Sequence, residues 1–334
     1  MSKKSKRFLI GAGIAAVSAA GIYGGAYTVT KRLLEIALDR EEPKIIAKSK
    51  KKLSGYEDTE KLIKTTESAA KELASCGCEK VEIYSHDGIR LVGHWYHNPN
   101  AQRVVVAMHG WRSSWLQDFG MISGFLHENG CSVLYAEQRA QNNSEGEHMT
   151  FGLLERYDCL EWIKWVNEQG STTMPVYLAG LSMGATTVLM CAGLDIPENV
   201  RGIVADCGFT SPRAIWKHVA EENLRISFAV HDTLVERMCK QKINMGAQEY
   251  STVEALQNCK VPVLFIHGTE DHFVPVAMTY ENYKACNAPK QLLIVPGADH
   301  GMSYLVEKER YEATIKDFWE ETLNTYAQTG WSSN

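Results

Sequence analysis

The feature that most limits how this chain can fold is a series of six short apolar runs separated by longer segments. The runs are rich in Val, Ile and Leu, and turn-forming residues bound each of them. Continuous runs of this kind are typical of strands buried on both faces of a parallel sheet. They cover residues 104–108, 133–136, 176–179, 203–205, 263–266 and 292–295.

Most segments between these runs have helical periodicity. Cys159, Trp162, Ile163 and Val166, for example, share one face of a helix. Strands that alternate with helices predict a doubly wound α/β fold with a mostly parallel sheet.

Two parts of this domain depart from the alternation. Residues 81–84 and 89–96 predict two earlier strands joined by a tight turn. The long connection from Cys207 to Val261 has no strand signal. We therefore expect an α/β domain over residues 79–334, with a small helical cap at about residues 209–257.

Residues 1–32 have the composition of a membrane segment. An uncharged run from residue 8 to residue 30 follows four basic residues and ends at Lys31 and Arg32. As a helix it would be about 35 Å long, enough to cross a bilayer core. We expect a retained anchor, with a cleaved signal segment or a soluble buried helix as alternatives. Gly21 and Gly25 form a GxxxG pair, which we interpret as incidental in so glycine-rich a stretch.

Charge predicts how such an anchor would be oriented. The basic residues before the run favour a cytoplasmic N-terminus, with the folded domain outside the cytoplasm or secreted after cleavage. Lysines between residues 44 and 52 weaken this bias. Residues 33–78 are charged and helix-prone, so we expect a helical connector. The nine cysteines are odd in number and several lie in apolar segments, which indicates reduced, buried thiols.

Residues 180–184, Gly-Leu-Ser-Met-Gly, are the strongest chemical signal in the chain. They follow a predicted strand and precede a helical stretch, as the nucleophile turn of a hydrolase does. Small flanking residues let strand and helix approach closely, while the serine projects from the turn. The pattern also occurs by chance in plain tight turns, but this context predicts that Ser182 is a nucleophile.

A serine hydroxyl needs a base to take its proton. His300 is the candidate base because it directly follows the last predicted strand. A histidine of a surface loop is the alternative interpretation. His109, His267 and His272 lie at other strand ends, and the first two are expected to shape their turns.

The base needs a carboxylate to orient it. Asp271 follows the penultimate predicted strand and is the preferred acid. Asp206, at the end of the preceding strand, is its rival, and Glu270 is a weaker one.

An oxyanion needs two donors. We assign the backbone N–H of Met183, at the start of the nucleophile helix, and the N–H of Trp111, in the loop after the first parallel strand. The Trp111 side chain could line the acyl pocket or be a surface aromatic residue.

With these motifs in order, the chain from about Val81 to Trp319 resembles α/β-hydrolases of the membrane-associated, uncharacterised bacterial kind. These are similar to the serine aminopeptidase and prolyl-oligopeptidase-like branch. The supporting motifs are His-Gly-Trp at 109, Gly-Leu-Ser-Met-Gly at 180, His-Gly-Thr-Glu-Asp at 267 and Gly-Ala-Asp-His-Gly at 297. One loop departs from the family: residues 137–144 keep Arg139 and Ser144 but lack a His and two Gly. The shape of this loop near the pocket is therefore an open point.

These observations predict a serine hydrolase that cleaves carboxylic esters through an acyl-enzyme on Ser182. A peptidase or acyltransferase with the same residues is the alternative, and a non-catalytic binding protein is a more distant one. The net charge of −5 and the absence of a basic face argue against nucleic acid as a partner. We expect a small-molecule acyl substrate, no cofactor and no metal, since no H-E-x-x-H motif is present. The oligomeric state is not predicted.

Overall fold

A computed structural model of the chain describes residues 23–41, 57–170 and 174–329, and it contains one eight-stranded sheet. The strand order is β1-β2-β4-β3-β5-β6-β7-β8. β2 is antiparallel to both β1 and β4, and the other neighbours are parallel. The strands are β1 (Glu79–Tyr84), β2 (Arg90–Tyr96), β3 (Arg103–Met108), β4 (Cys131–Glu137), β5 (Val176–Leu181), β6 (Val200–Asp206), β7 (Val263–Gly268) and β8 (Lys290–Val295). The predicted mostly parallel α/β fold is confirmed.

Helices flank the sheet and occupy the long connection after β6. They are α1 (residues 23–38), α2 (Glu57–Ser75), α3 (Trp115–Glu128), α4 (Glu155–Gln169), α5 (Met183–Cys191), α6 (Pro212–His218), α7 (Asp232–Ile243), α8 (Thr252–Asn258), α9 (Val276–Ala285), α10 (Ser303–Val306) and α11 (Lys308–Thr329). A π-helical turn at Val219–Asn223 and a 3-10 turn at Phe228–Val230 join α6 to α7.

The two faces of the sheet have separate cores because side chains alternate along each strand. In β3, Val104 and Val106 belong to the cluster formed with α4 and α5. Val105 belongs to the opposite cluster, with Phe119 of α3 and Ile315 of α11. Both faces of the sheet are therefore buried. The predicted catalytic residues follow the carboxyl ends of its strands.

A third apolar cluster joins the segment after β6 to α1. Leu34 and Leu38 of α1 are buried in it with Phe209 and Val235. Thr30 is also buried, and its Oγ1 lies 2.6 Å from Nδ1 of His231. Helix α1 thus packs on the predicted cap.

The predicted anchor falls mainly outside the described part of the chain. Its first 22 residues are not described, and residues 23–32 belong to α1, which continues across position 32 to residue 38. Among the helices within the ranges given above, none is long and apolar enough to span a membrane.

All nine cysteines lie in the described ranges and all are free thiols. Seven of them are buried, in agreement with the prediction of reduced, buried thiols.

Candidate active site

Ser182 occupies a strained turn between β5 and α5. Its φ of 55° and ψ of −116° lie in a region that side chains other than glycine rarely adopt. A Cβ on Gly184 would lie 1.8 Å from the carbonyl oxygen of Met108, and one on Gly180 would lie 2.3 Å from that of Gly184. Both glycines are therefore required for the strand and helix to approach so closely.

The structure brings Ser182, His300 and Asp271 together, although 118 residues separate Ser182 from His300. Ser182 Oγ lies 2.9 Å from Nε2 of His300, and Nδ1 of His300 lies 2.7 Å from Oδ2 of Asp271. An ionised carboxylate only accepts hydrogen bonds, so Nδ1 carries the proton and Nε2 faces the serine hydroxyl as an acceptor. This is the arrangement that general-base activation of a serine requires.

Asp271 is held as a carboxylate by four donors. Its side chain is fully buried, and its Oδ1 accepts from the backbone N–H groups of Phe273 and Val274 at 2.9 and 2.8 Å. Burial by itself would raise the pKa of Asp271, but hydrogen bonds from His267, His300 and Val274 outweigh it and hold that pKa well below its usual range.

His267 has a contact that the sequence interpretation missed. Its Nε2 lies 3.0 Å from Oδ2 of Asp271 and 2.9 Å from the carbonyl oxygen of Val274, while its Nδ1 lies 2.7 Å from Thr279 Oγ1. Because both partners of Nε2 are acceptors, this nitrogen donates. His267 therefore orients the acid as well as shaping the turn; its position four residues before Asp271 was the available signal.

The rival acid, Asp206, is engaged elsewhere. Its carboxylate accepts from the hydroxyls of Ser303 at 3.3 Å and Tyr311 at 3.2 Å. Burial raises the pKa of this carboxyl. Its backbone carbonyl accepts from the Ser182 N–H at 2.9 Å, so Asp206 supports the nucleophile turn.

A metal has little to bind at this site. The Cys207 thiol, Asp271 and His300 place ligand atoms within 4.8 Å of one another. Burial raises the pKa of the Cys207 thiol well above its ordinary value, and metals bind the thiolate. The other two groups already bond each other, so this trio is better explained as part of the serine–histidine–aspartate arrangement.

The two predicted oxyanion donors come from two separate segments, the start of α5 and the loop after β3. Met183 is the first residue of α5, where a helix leaves its N–H groups without intrahelical partners. Trp111 lies in the loop after β3. Among the hydrogen bonds of the described residues, none uses the backbone N–H of Trp111, whereas both neighbouring N–H groups are engaged.

Those neighbouring N–H groups are fixed by side chains from elsewhere in the chain. Gly110 donates to Oδ2 of Asp118 and Arg112 donates to Oε1 of Gln141, both at 2.6 Å. Gln141 belongs to the loop that departs from the family pattern. The structure thus gives this loop a role that its sequence did not indicate: it holds the segment on which Trp111 lies.

Side chains of the same segment donate hydrogen bonds to backbone carbonyls at the end of α1. Trp111 donates from Nε1 to the carbonyl oxygen of Ala37 at 2.8 Å. The guanidinium of Arg112 donates to the carbonyl oxygens of Ile36 and Asp39 at 2.8 and 2.6 Å. These carbonyls lie at or just beyond the C-terminus of α1, where a helix has no partners of its own for them.

His109 is structural. It is fully buried, its Nδ1 lies 2.8 Å from the carbonyl oxygen of Gly110, and its Nε2 accepts from the N–H of Gln138 at 3.1 Å. Burial lowers its pKa, so it is neutral. His272 is exposed, and its ring nitrogen bonds the carbonyl oxygen of Glu270. Neither histidine reaches Ser182 Oγ.

A cavity of about 470 Å³ opens at Ser182 and His300. Its volume is in the range typical of small-molecule sites. A larger open groove of about 1180 Å³ lies between α2, α3 and α11, and its lining includes neither Ser182 nor His300.

The fold and this geometry define a serine hydrolase of the α/β-hydrolase type. Comparison with known proteins assigns the family: the model of the prolyl oligopeptidase family matches residues 109–325, so the chain belongs to that family. An uncharacterized protein of Bacillus subtilis, YqkD, is 25% identical over 240 residues, covering 71% of this chain and 77% of YqkD.

Solved structures show the same fold at low sequence identity. The Pyrococcus furiosus esterase Pf2001 is 23% identical, with a TM-score of 0.58, and the match covers 73% of this chain and 91% of the esterase. The acylaminoacyl peptidase of Pyrococcus horikoshii is 16% identical, with a TM-score of 0.56, over 77% of this chain and 43% of the peptidase. Relatives of this fold thus include both an esterase and a peptidase.

Proposed function

We propose that this protein hydrolyses carboxylic esters through an acyl-enzyme on Ser182. The observation that carries the proposal is the continuous hydrogen-bonded chain from Ser182 Oγ through both ring nitrogens of His300 to Asp271. At Ser182, this series of hydrogen bonds ends beside a cavity that a small substrate can enter.

In the first half of the reaction, Ser182 Oγ attacks the ester carbonyl while His300 Nε2 takes the hydroxyl proton. The carbonyl oxygen becomes an oxyanion facing the N–H groups of Trp111 and Met183. His300 then gives its proton to the leaving alkoxide, and the carbon–oxygen bond to the alcohol breaks. Asp271 stabilises the imidazolium without taking its proton.

In the second half, water replaces the alcohol. His300 takes a proton from water as the water attacks the acyl carbon. The bond to Ser182 Oγ then breaks as His300 returns the proton to this oxygen. The products are a carboxylic acid and the free enzyme.

The cavity lining favours an ester over a peptide with a free amino terminus. A protonated amine is best recognised by a carboxylate that faces the ligand and is not engaged by the protein itself. The carboxylates of the lining are Asp118, which bonds Gly110 and Ser113, and the buried Asp206, which bonds Ser303 and Tyr311. The family and the peptidase neighbour keep peptide cleavage as the second candidate.

A fluorophosphonate probe tests the proposal. Wild-type protein should be labelled at Ser182, and Ser182→Ala should not be labelled. Short p-nitrophenyl esters and aminoacyl p-nitroanilides then compare the two candidates. Faster turnover of the esters supports the proposal. A folded wild type that resists the probe, or one that cleaves only the anilides, would overturn it.

We also propose that residues 1–32 anchor the protein in the cell membrane through the part of the uncharged run that precedes the buried Thr30, with the N-terminus inside and the hydrolase domain outside. The uncharged run and its flanking basic residues support this. Retention in the membrane fraction after alkaline carbonate extraction, with the domain open to external protease, is the expected result. Release by carbonate, or protection from protease, would contradict the anchor or its orientation respectively.

A further inference from the structure

The cavity at Ser182 extends beneath the carboxyl edge of the sheet. Along β5 its lining includes Leu181, Ala179 and Tyr177, every second residue, which all face one side of the sheet. Four residues of strand correspond to a depth of about 13 Å. The cavity is therefore a channel that runs from the nucleophile along the face of β5.

Two helices form the walls of this channel. Phe119, Ile122 and Leu126 of α3 line it at a spacing of three and four residues, on one helical face. Tyr311, Ile315 and Trp319 of α11 line it at a spacing of four. Nearly all of these wall atoms are apolar.

Aromatic rings pack together next to Trp111, which is itself part of the cavity lining. The ring of Trp111 lies 6.2 Å from that of Phe151 and 6.5 Å from that of Phe273. Phe151 in turn contacts Trp216 of α6 in an edge-to-face arrangement, with 5.1 Å between ring centroids. These rings belong to the apolar cluster that includes Leu34 and Leu38 of α1, and of the four only Trp111 lines the cavity.

A void of this size is not an ordinary packing defect. Protein interiors are close-packed, and voids larger than a water molecule are few. The lining also contains polar residues, among them Thr66, Gln117 and Asp206, but apolar atoms form most of it and offer water few partners, so the cavity suits an apolar ligand.

We propose that this channel binds the acyl chain of the substrate, and that the chain is unbranched and apolar. The inference rests on the proposed ester hydrolysis, since it places the acyl group of the Ser182 ester. A volume of about 470 Å³ holds about 15 groups the size of a water molecule, or roughly eight to twelve carbon atoms once the mouth is set aside. The alcohol leaves toward the mouth of the cavity.

Chain-length dependence of kcat/KM tests the channel. The wild type should prefer p-nitrophenyl octanoate to the acetate by at least about tenfold, because each buried methylene favours binding about fourfold. The hexadecanoate should be a poorer substrate than the octanoate because its chain is longer than the roughly eight to twelve carbon atoms that the cavity volume holds.

Two variants narrow the channel from its two walls, Ile315→Phe on α11 and Ile122→Phe on α3. Each should lower the octanoate-to-acetate ratio by about tenfold, and the second remains informative if the first fails to fold. Val306→Phe is the matched control, since Val306 is 48% exposed on α10 and does not line the channel. It should keep the wild-type ratio.

The outcomes separate the two proposals. Wild type that hydrolyses no ester and resists the fluorophosphonate probe contradicts the proposed function. Wild type that hydrolyses esters but prefers the acetate, or folded Ile315→Phe and Ile122→Phe that keep the wild-type ratio, contradicts the channel alone.

Discussion

The two halves of the catalytic site are built in different ways. On one half, Ser182, Asp271 and His300 each lie in a short loop directly after a strand, and they bond one another or their own loop. On the other half, the loop that carries Trp111 depends on residues from three other parts of the chain. These are Ala37 in the last turn of α1, Asp118 on α3 and Gln141 beyond β4.

This difference separates two physical tasks. The serine–histidine–aspartate half moves a proton between charged and neutral groups, so its parts must contact one another directly. The oxyanion half presents a backbone N–H, which no side-chain substitution other than proline removes. Its position is adjustable only through what holds the loop, and this makes it sensitive to distant residues.

The largest loss of kcat is expected from a change in the serine–histidine–aspartate half of the site. Asp271→Asn should lower kcat for a p-nitrophenyl ester by about 10⁴, because an amide can no longer favour the Nδ1–H tautomer of His300. Asp206→Asn should lower it by less than about tenfold, since Asp206 bonds Ser303 and Tyr311. Steady-state kinetics of the two variants, checked for folding by circular dichroism, make the comparison. A larger loss for Asp206→Asn would reverse the assignment.

The next largest loss of kcat is expected from a change in the oxyanion half of the site. Gln141→Met keeps the length of the side chain but removes the oxygen that accepts from the Arg112 N–H. Loss of one oxyanion donor costs about 10²–10³ in kcat, so a displaced loop should cost about 10 to 100-fold, with little change in KM. Gln248→Met, at an exposed position beyond α7, is the control. An unchanged kcat for Gln141→Met would remove this residue from the site.

A smaller effect tests the link to α1. Trp111→Phe keeps an aromatic ring beside Phe273 but removes the donor to Ala37. One hydrogen bond is worth about 1 kcal/mol, so kcat should fall by roughly threefold to tenfold. Trp165→Phe makes the same change on α4, away from Ser182, and should have no effect on kcat. Equal kinetics for both variants would show that α1 does not position the loop.

The last prediction concerns stability rather than kcat, and it takes the form of a pH dependence. The folded-state pKa of Asp271 is depressed, so its stabilising contribution is present above the unfolded pKa of about 3.9. It is lost as the pH falls through the folded pKa. Asp271→Asn should therefore be less stable than wild type at pH 7, by about 1–3 kcal/mol, and the difference should shrink below about pH 4. Urea unfolding at several pH values measures it, and a constant difference would contradict the charge-based account.

The same contrast explains what could be predicted from the sequence. The strands and the triad candidates were predictable because β-branched runs and short motifs encode them locally, in the right chain order. The contacts of the oxyanion loop were not, because Ala37 contributes only a backbone carbonyl. Gln141 lies in the loop that departs from the family pattern, so the resemblance assigned it no role.

His267 marks the boundary between these cases. Its place four residues before Asp271 was visible in the sequence, but the donor role of its Nε2 depends on the buried positions of Asp271 and Val274. The channel between α3 and α11 likewise could not be predicted, because in the sequence its wall residues look the same as ordinary core residues.

The most direct test of the central claim, that Ser182 carries the acyl group, is kcat of Ser182→Ala for a p-nitrophenyl ester. The substitution removes only the Oγ atom that faces His300. We predict a loss of about 10⁶ in kcat with a nearly unchanged thermal midpoint. Substantial hydrolysis by the folded variant would contradict the assignment of Ser182 as nucleophile.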